Sequence, residues 1–490
     1  MSTAKKFAGQ TAVYGITTIA SRVLNFFLTS GYTRVYSSSI YGIFSNMFSY
    51  ASMIQPVLAF GMETTFFRYL NKHEDRKAQV YNNAFATIIA LTLLFLAITL
   101  PLTNQIAHWV AIEKTTSFHD YRQYVLYFIS FLVIDAWCVI PFAKIRADGR
   151  PGRYGLIKVT NVLVFIALNL IFMYGLPSIV KHNYIGADWV STWFRQGWLG
   201  YIFLSNLIAS ALTFILLLPE IVKFKPQFDG GMTRNMLIYS FPVLVANFSF
   251  IINENLDKTL LAKYVSSEQL GIYAACAKIS VFLNLFVQAF RLGAEPFFFS
   301  HAKNKNAGHT YARIMDYFVI SVSIGFIAIV ANISILKYFI DKSYWVGLPS
   351  VPPLLFGYVC LGVYMNLSVW YKLSDQTKYG LYISGVGAIL TIVLNVVFIP
   401  RFSYMASAWA SFASYFVMMA LSYLWGQKNY PVPYHLKKNT AYIIIAALLV
   451  YLSFYVFNSN LLIGDGLLIL FASAALFFEW KSLKAIFIGR

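Results

Sequence analysis

The sequence predicts an all-α polytopic membrane protein: about 14 transmembrane helices, in two parallel six-helix bundles around a central cleft, plus a C-terminal helix pair. Three observations predict it. Of 490 residues, 59% are hydrophobic and only 12% charged, about half the charge of a soluble domain. Apolar runs of about 20 residues recur along the whole length, which favours helices over the short alternating segments of a barrel. And a stretch near the start, Ser21 to Arg68, returns in altered form half a chain later.

The expected spans are 10–31, 41–62, 84–103, 122–142, 155–176, 198–219, 236–256, 269–291, 315–336, 351–371, 379–400, 404–425, 439–457 and 459–478. Asn458 to Asn460 joins the last two as a tight hairpin. The N-terminal run follows Lys5 and Lys6 without a small-residue cleavage site, so it reads as a retained span. The longest outer loop, 177–197, is too short to bury a core of its own.

The repeat sets the domain organisation. Tyr36-Ser-Ser-Ser-Ile-Tyr-Gly-Ile-Phe is echoed by Tyr264-Val-Ser-Ser-Glu-Gln-Leu-Gly-Ile-Tyr, with Gly42 matching Gly271. Gly61-Met-Glu-Thr-Thr-Phe-Phe-Arg is echoed by Gly293-Ala-Glu-Pro-Phe-Phe-Phe-Ser-His, with Glu63 matching Glu295. Arg153-Tyr-Gly-Leu and Asn169 match Lys378-Tyr-Gly-Leu and Asn395. The offset drifts from about 229 to about 225 residues, so the register nearly holds. Each half has about six spans, and an even number makes the halves parallel. The expected domains are an N-terminal bundle over 1–225, a C-terminal bundle over 226–427, and the extra pair over 428–490.

The net charge of +19 does not indicate nucleic acid, because the positive residues fall in short loops between spans. With the N-terminus inside, inner segments carry about 26 Lys and Arg and outer loops about 10, which places both termini in the cytoplasm. Tryptophans near span ends (Trp109, Trp189, Trp193, Trp198, Trp345, Trp425, Trp480) fit interfacial anchors. Cys138, Cys276 and Cys360 lie in apolar runs and suggest neither disulfides nor a metal. No cofactor is expected: there is no P-loop, and the seven histidines fall in loops or at span ends.

A charged side chain inside a span needs a partner or a wet cavity, since burying it in hydrocarbon costs about 2.5–3.5 kcal/mol. Arg22 sits mid-span, either in a structural ion pair with Asp135 or as an anion-binding residue. In the eighth span Ser280, Asn284, Gln288 and Arg291 share one helical face, and Lys278 lies off it. That face either binds substrate or bonds neighbouring helices. Glu254 and Lys258, four apart, either pair at the outer surface or, with Asp257, belong to a cation or proton site. Asn46, Gln55 and Asn247 add polarity to spans two and seven. The substrate-binding candidates are Arg22, Lys278, Asn284, Gln288 and Arg291; the ion-coupling candidates are Asp135, Glu254 and Asp257.

These features, with Ser21-Arg-Val-Leu, Leu270-Gly-Ile-Tyr, Pro296 and Asn395 before Ile399-Pro-Arg-Phe, resemble the polysaccharide-export branch of the multidrug/oligosaccharidyl-lipid/polysaccharide exporter superfamily. The resemblance covers the whole chain. It implies a flippase that moves an undecaprenyl-diphosphate-linked oligosaccharide from inner to outer leaflet, with spans one, two, seven and eight lining a cationic cavity. Arg22, Lys278 and Arg291 then suit a diphosphate. The two extra spans resemble those that form a lipid-tail groove in lipid II flippases. Those flippases carry a further arginine where this chain has Leu28, and arginines in the second span where this chain has Asn46 and Gln55. The departure favours an O-antigen or capsule repeat-unit flippase over a lipid II flippase.

Two other classes compete. A cation-coupled multidrug antiporter would rely on Asp135 or Glu254. A membrane enzyme of the same pathway would need acid/base residues on a large outer loop, and 177–197, with Asp188 and Arg195, is a poor candidate. The expected partners are the bilayer, the lipid-linked oligosaccharide and a coupling cation or proton. Nucleic acid is not expected, and an enclosed cleft does not require an oligomer.

Overall fold

The computed structural model describes residues 23–487 except 25, 226–227, 303, 305 and 375. The described chain is helical, without strands. Residues 26–35 form α1. Then come α2 (Ser38–Ala59), α3 (Met62–Lys72), α4 (Lys77–Thr99), α5 (Thr103–Val110), α6 (Phe118–Ala147), α7 (Pro151–Leu170), α8 (Leu176–Lys181), α9 (Ala187–Trp193), α10 (Gly200–Ile221), α11 (Gly230–Tyr264) and α12 (Ser267–His301). They are followed by α13 (Ala307–Ala331), α14 (Ile333–Leu336), α15 (Val351–Leu367), α16 (Val369–Leu373), α17 (Lys378–Asn429), α18 (Leu436–Tyr451) and α19 (Leu461–Phe487).

Eleven of the described helices are long and apolar enough to cross a membrane. The expected span count is larger for visible reasons. Residues 10–31 lie mostly outside the described residues. α2 covers the expected second span. α17 covers two spans: Ser403, at φ 53° and ψ −143°, interrupts it. On either side of that break, Thr391 Oγ1 donates to Ser414 Oγ at 2.9 Å and Ser407 Oγ donates to Asn395 Oδ1 at 2.7 Å. Pairs that close symmetrically about residue 402 define a hairpin, and 52 residues unbroken would run far past a bilayer.

Local signals explain the helix ends. Ser117 and Asp229 cap α6 and α11, their side chains accepting from Asp120 N and Met232 N. Pro151 opens α7. Pro177 withholds an N–H, and the five residues Ile171–Gly175 before α8 wind as a π-turn. Gly61 links α2 to α3 at φ 66°, which a side chain would strain. At the C-terminal hairpin Asn458 and Ser459 take φ 49° and 57°, and Asn460 Oδ1 accepts from Leu462 N and Ile463 N. Hydroxyls inside α2 bond back to their own helix, Ser45 to Tyr41 O at 2.9 Å and Ser49 to Ser45 O at 2.7 Å, so they carry no unmet polarity.

The chain forms two compact units, Met1–Gly271 and Ile272–Arg490. Division by repeat, near 225, and division by packing, at Gly271, differ chiefly by α11, which packs on α2, α3 and α4. The core of the first unit is aromatic: Phe48, Tyr124, Phe128, Phe131 and Phe203 stack or meet edge to face. In the second, α15 packs along α17, and α18 and α19 pack on α13.

Candidate functional site

Arg22, the first substrate candidate, lies outside the described residues. The others divide between the units. In Ile272–Arg490, Lys278 is half-buried on α12. The polar face expected on α12 has mixed roles. Ser280 is fully buried and donates to Val351 O at 3.4 Å, so at this position the face bonds a neighbouring helix. Gln288 Nε2 donates to Asn284 Oδ1 at 3.4 Å. Arg291 is half-buried beside a void of about 10 Å³ shared with Glu295, Asn366 and Lys372. The ion pair there joins Lys372 Nζ to Glu295 at 2.7 Å. Among the described residues no carboxylate pairs with Arg291.

In Met1–Gly271, Asn253 and Asp257 are buried on α11 and Glu254 is half-buried. Lys258 pairs with Asp257 at 3.3 Å and donates to the backbone oxygen of Glu254 at 2.7 Å. Lys258 thus meets Asp257 through its carboxylate and Glu254 through its backbone oxygen. Asp135, on α6, accepts from the hydroxyl of Ser210 on α10, and Lys158 on α7 acts on its charge. Asn46, which adds polarity to the second span, is 1% exposed, and neither amide atom has a hydrogen-bond partner among the described residues. A buried amide left so costs about 1–3 kcal/mol.

The repeat is visible in the polar contacts. Glu63 pairs with Arg146 at the end of α6, and Glu295 pairs with Lys372 in α16. These are equivalent positions in both halves. Asn169 and Asn395 are both buried, and each donates to the carbonyl four residues back at 2.7 Å. Asn169 also accepts from Tyr32 Oη at 3.0 Å. Near Arg146, Arg150 and Arg153 each reach the fully buried Glu220 at 2.9 Å.

On the side that the charge count assigns to the exterior, Glu113 accepts from the hydroxyl of Ser267. That bond leads the causes holding the Glu113 carboxyl below its ordinary 4.5; bonds from Thr115 N, Lys114 N and the Ser39 hydroxyl add to it, against desolvation. Beside this latch Gly42 and Gly271 meet. A Cβ on Gly42 would lie 1.8 Å from Ser267 O, and one on Gly271 1.9 Å from Ser38 O. In the 177–197 loop Arg195 donates to both oxygens of Asp120, at 2.7 and 3.0 Å. That bond raises the Arg195 guanidinium further above its usual range. Arg195 therefore ties the loop down. Among the described residues no histidine, cysteine and carboxylate group could hold a metal.

Residues 200–335 match a family model described as polysaccharide biosynthesis protein. No curated protein matches the chain. Solved structures share its fold. One is a lipid II flippase, MurJ, in an inward closed conformation: TM-score 0.72, 14% identity, covering 96% of this chain and 100% of that one. A second is an inward-facing multidrug resistance MATE family transporter of the MOP superfamily: TM-score 0.65, 11% identity, covering 86% and 95%. A third is the MATE multidrug transporter DinF-BH: TM-score 0.62, 15% identity, covering 88% and 97%. These solved structures, all below 25% identical, show the fold that the chain shares, and the family model covers residues 200–335 of it.

Proposed function

We propose that the chain is a flippase of the cell (inner) membrane that carries an undecaprenyl-diphosphate-linked oligosaccharide from the inner to the outer leaflet by alternating access. One observation carries the reading. The polysaccharide-type match spans 200–335, and that segment holds Lys278, Asn284, Gln288 and Arg291, every described substrate candidate. Arg22, Lys278 and Arg291 meet the diphosphate as desolvated cations, and Asn284 and Gln288 offer amides to sugar hydroxyls. Both termini lie in the cytoplasm, as the loop charges require. The protein performs no bond chemistry and needs no cofactor; a cation or proton drives it, with Asp135, Glu254 and Asp257 as coupling carboxylates. Leu28, Asn46 and Gln55, where lipid II flippases carry arginines, favour an O-antigen or capsule type of substrate over lipid II.

The alternative is a multidrug antiporter, supported by the fold shared with multidrug transporters. Deletion separates the two. The flippase reading expects lipid-linked repeat units to accumulate on the inner leaflet, surface glycan to disappear, and drug tolerance to stay unchanged. It also expects an Arg291→Ala chain that inserts normally to restore little export. Lost drug tolerance with intact surface glycan would overturn it.

A further inference from the structure

The repeat builds one cradle twice, and the two copies have different contents. In Ile272–Arg490, Phe298 and Tyr311 meet edge to face with centroids 5.0 Å apart, and Tyr311 Oη donates to Phe298 O at 2.8 Å. Trp370, Tyr430 and Tyr434 close the space beside them, leaving a void of about 10 Å³. In Met1–Gly271 the equivalent ring pair is Phe66 and Tyr81, again edge to face, 6.3 Å apart. Here the register that matches Arg146 to Lys372 sets Lys144 where the second copy has Trp370. The space is open, a pocket of about 480 Å³.

Three lysines from three chain segments converge on this pocket: Lys77 at the start of α4, Lys144 near the end of α6, and Lys223 just after α10. Lys144 is half-buried, with its ammonium 4.9 Å from the Tyr81 ring centre. Inner-loop lysines of a membrane protein ordinarily face water and need no ligand. These differ from their neighbours in two respects. The arginines of the same region, Arg146, Arg150 and Arg153, are each paired with a carboxylate. Among the described residues Lys77, Lys144 and Lys223 pair with none, although Glu74 and Asp148 also line the pocket and Asp148 is taken by Arg150 at 2.8 Å. And the lysines surround a concave site with an aromatic wall, whose counterpart in the other half is filled by aromatic side chains.

We propose that this pocket binds a phosphoryl group, carried by the headgroup of an anionic membrane lipid. Its volume suits a headgroup. Lysines supply mobile point charges for phosphate. Phe66, Phe67 and Leu70 offer an apolar wall to the glycerol and first methylenes. Basic pockets between helix ends at the inner surface recognise such headgroups. The site lies in the first unit alone and stands apart from the flippase reading.

The test is native mass spectrometry of the full chain in detergent, titrated with phosphatidylglycerol or with phosphatidylcholine of the same tails. Wild type should retain phosphatidylglycerol preferentially. The variant Lys77→Gln, Lys144→Gln, Lys223→Gln should bind it about a hundredfold more weakly, while Lys144→Arg keeps the charge and the binding. A charge-matched variant (Lys72→Gln, Arg76→Gln, Lys225→Gln) should bind as wild type, and unchanged thermal unfolding of both triple variants shows intact folding. Displacement of phosphatidylglycerol by inorganic pyrophosphate would show that the same site also takes a soluble phosphoryl anion; persistence would assign it to lipid. Equal retention of the two lipids, undiminished binding in the first triple variant, or equal loss in the charge-matched one would overturn the proposal.

Discussion

Glu220 has no solvent exposure, while the two guanidinium groups that reach it are about one third exposed. Deleting its carboxylate takes away the carboxylate partner of Arg153 and leaves Arg150 with Asp148 alone. Breaking a buried pair in this way costs about 3 kcal/mol or more. The Glu63–Arg146 pair is exposed on both sides, 45% and 38%, and such pairs are worth below about 1 kcal/mol. Glu220→Ala should therefore lower the thermal unfolding temperature in detergent clearly, and Glu63→Ala hardly at all. Equal shifts would refute the burial argument. The two acids also mark what a sequence discloses at this scale. Glu63 stands out because Glu295 repeats it. Glu220, between a proline and an isoleucine at the end of an apolar run, shows no sign of partners about 70 residues upstream. Pairing over that distance is set by helix packing, which single residues do not encode. The same holds for Asn46, whose lack of a hydrogen-bond partner among the described residues appears only once its neighbours are in place.

Among the elements, the crossing of α2 with the first turn of α12 depends on having no side chain at two places. In an open helix Gly→Ala gains about 1 kcal/mol of propensity. Here the new Cβ would meet a carbonyl oxygen at under 2 Å, and forcing helices apart costs about 1–3 kcal/mol. The clash outweighs the propensity, so Gly42→Ala should destabilise. The neighbouring latch adds a pH dependence. The folded-state pKa of Glu113 is depressed below 4.5, so its stabilisation is complete above about pH 4.5 and is lost as pH falls through the folded value. Thermal unfolding between pH 7 and pH 3.5 should show a loss that Glu113→Gln removes and wild type keeps. An identical pH profile in both would sink the latch. The glycines were legible from their repeat, and the spans from apolar length. The break at Ser403 was legible only as a gap between two spans, because a serine at positive φ leaves no signature in composition.

At the scale of the whole chain, the C-terminal pair is anchored to the second unit by a small charge cluster. Lys438 Nζ lies 2.9 Å from Asp316 and 2.8 Å from Glu479, and His435 Nδ1 lies 2.7 Å from Asp316. Both carboxylates are below a tenth exposed and come from different helices, α13 and α19. One lysine on α18 thus joins three helices, beside an apolar pocket of about 210 Å³ that α13, α15, α17 and α18 share. Neither partner is visible in the sequence, where nothing links Asp316 or Glu479 to Lys438, more than 120 and more than 40 residues away along the chain. Removing the lysine should do more harm than removing either acid. Lys438→Met leaves two buried carboxylates without their shared cation, whereas Asp316→Asn leaves the Lys438–Glu479 pair whole. The expected cost of Lys438→Met is about 3–5 kcal/mol, as for other broken buried pairs. Because the loss falls on contacts between α13, α18 and α19, it should appear as local opening, not global unfolding. Hydrogen exchange in detergent should therefore rise across α18 and α19 in Lys438→Met, rise less in Asp316→Asn, and stay unchanged in α15 and α17. Uniform acceleration through Ile272–Arg490, or no difference between the two variants, would show that the pair is held by apolar packing and that the charges are incidental to it.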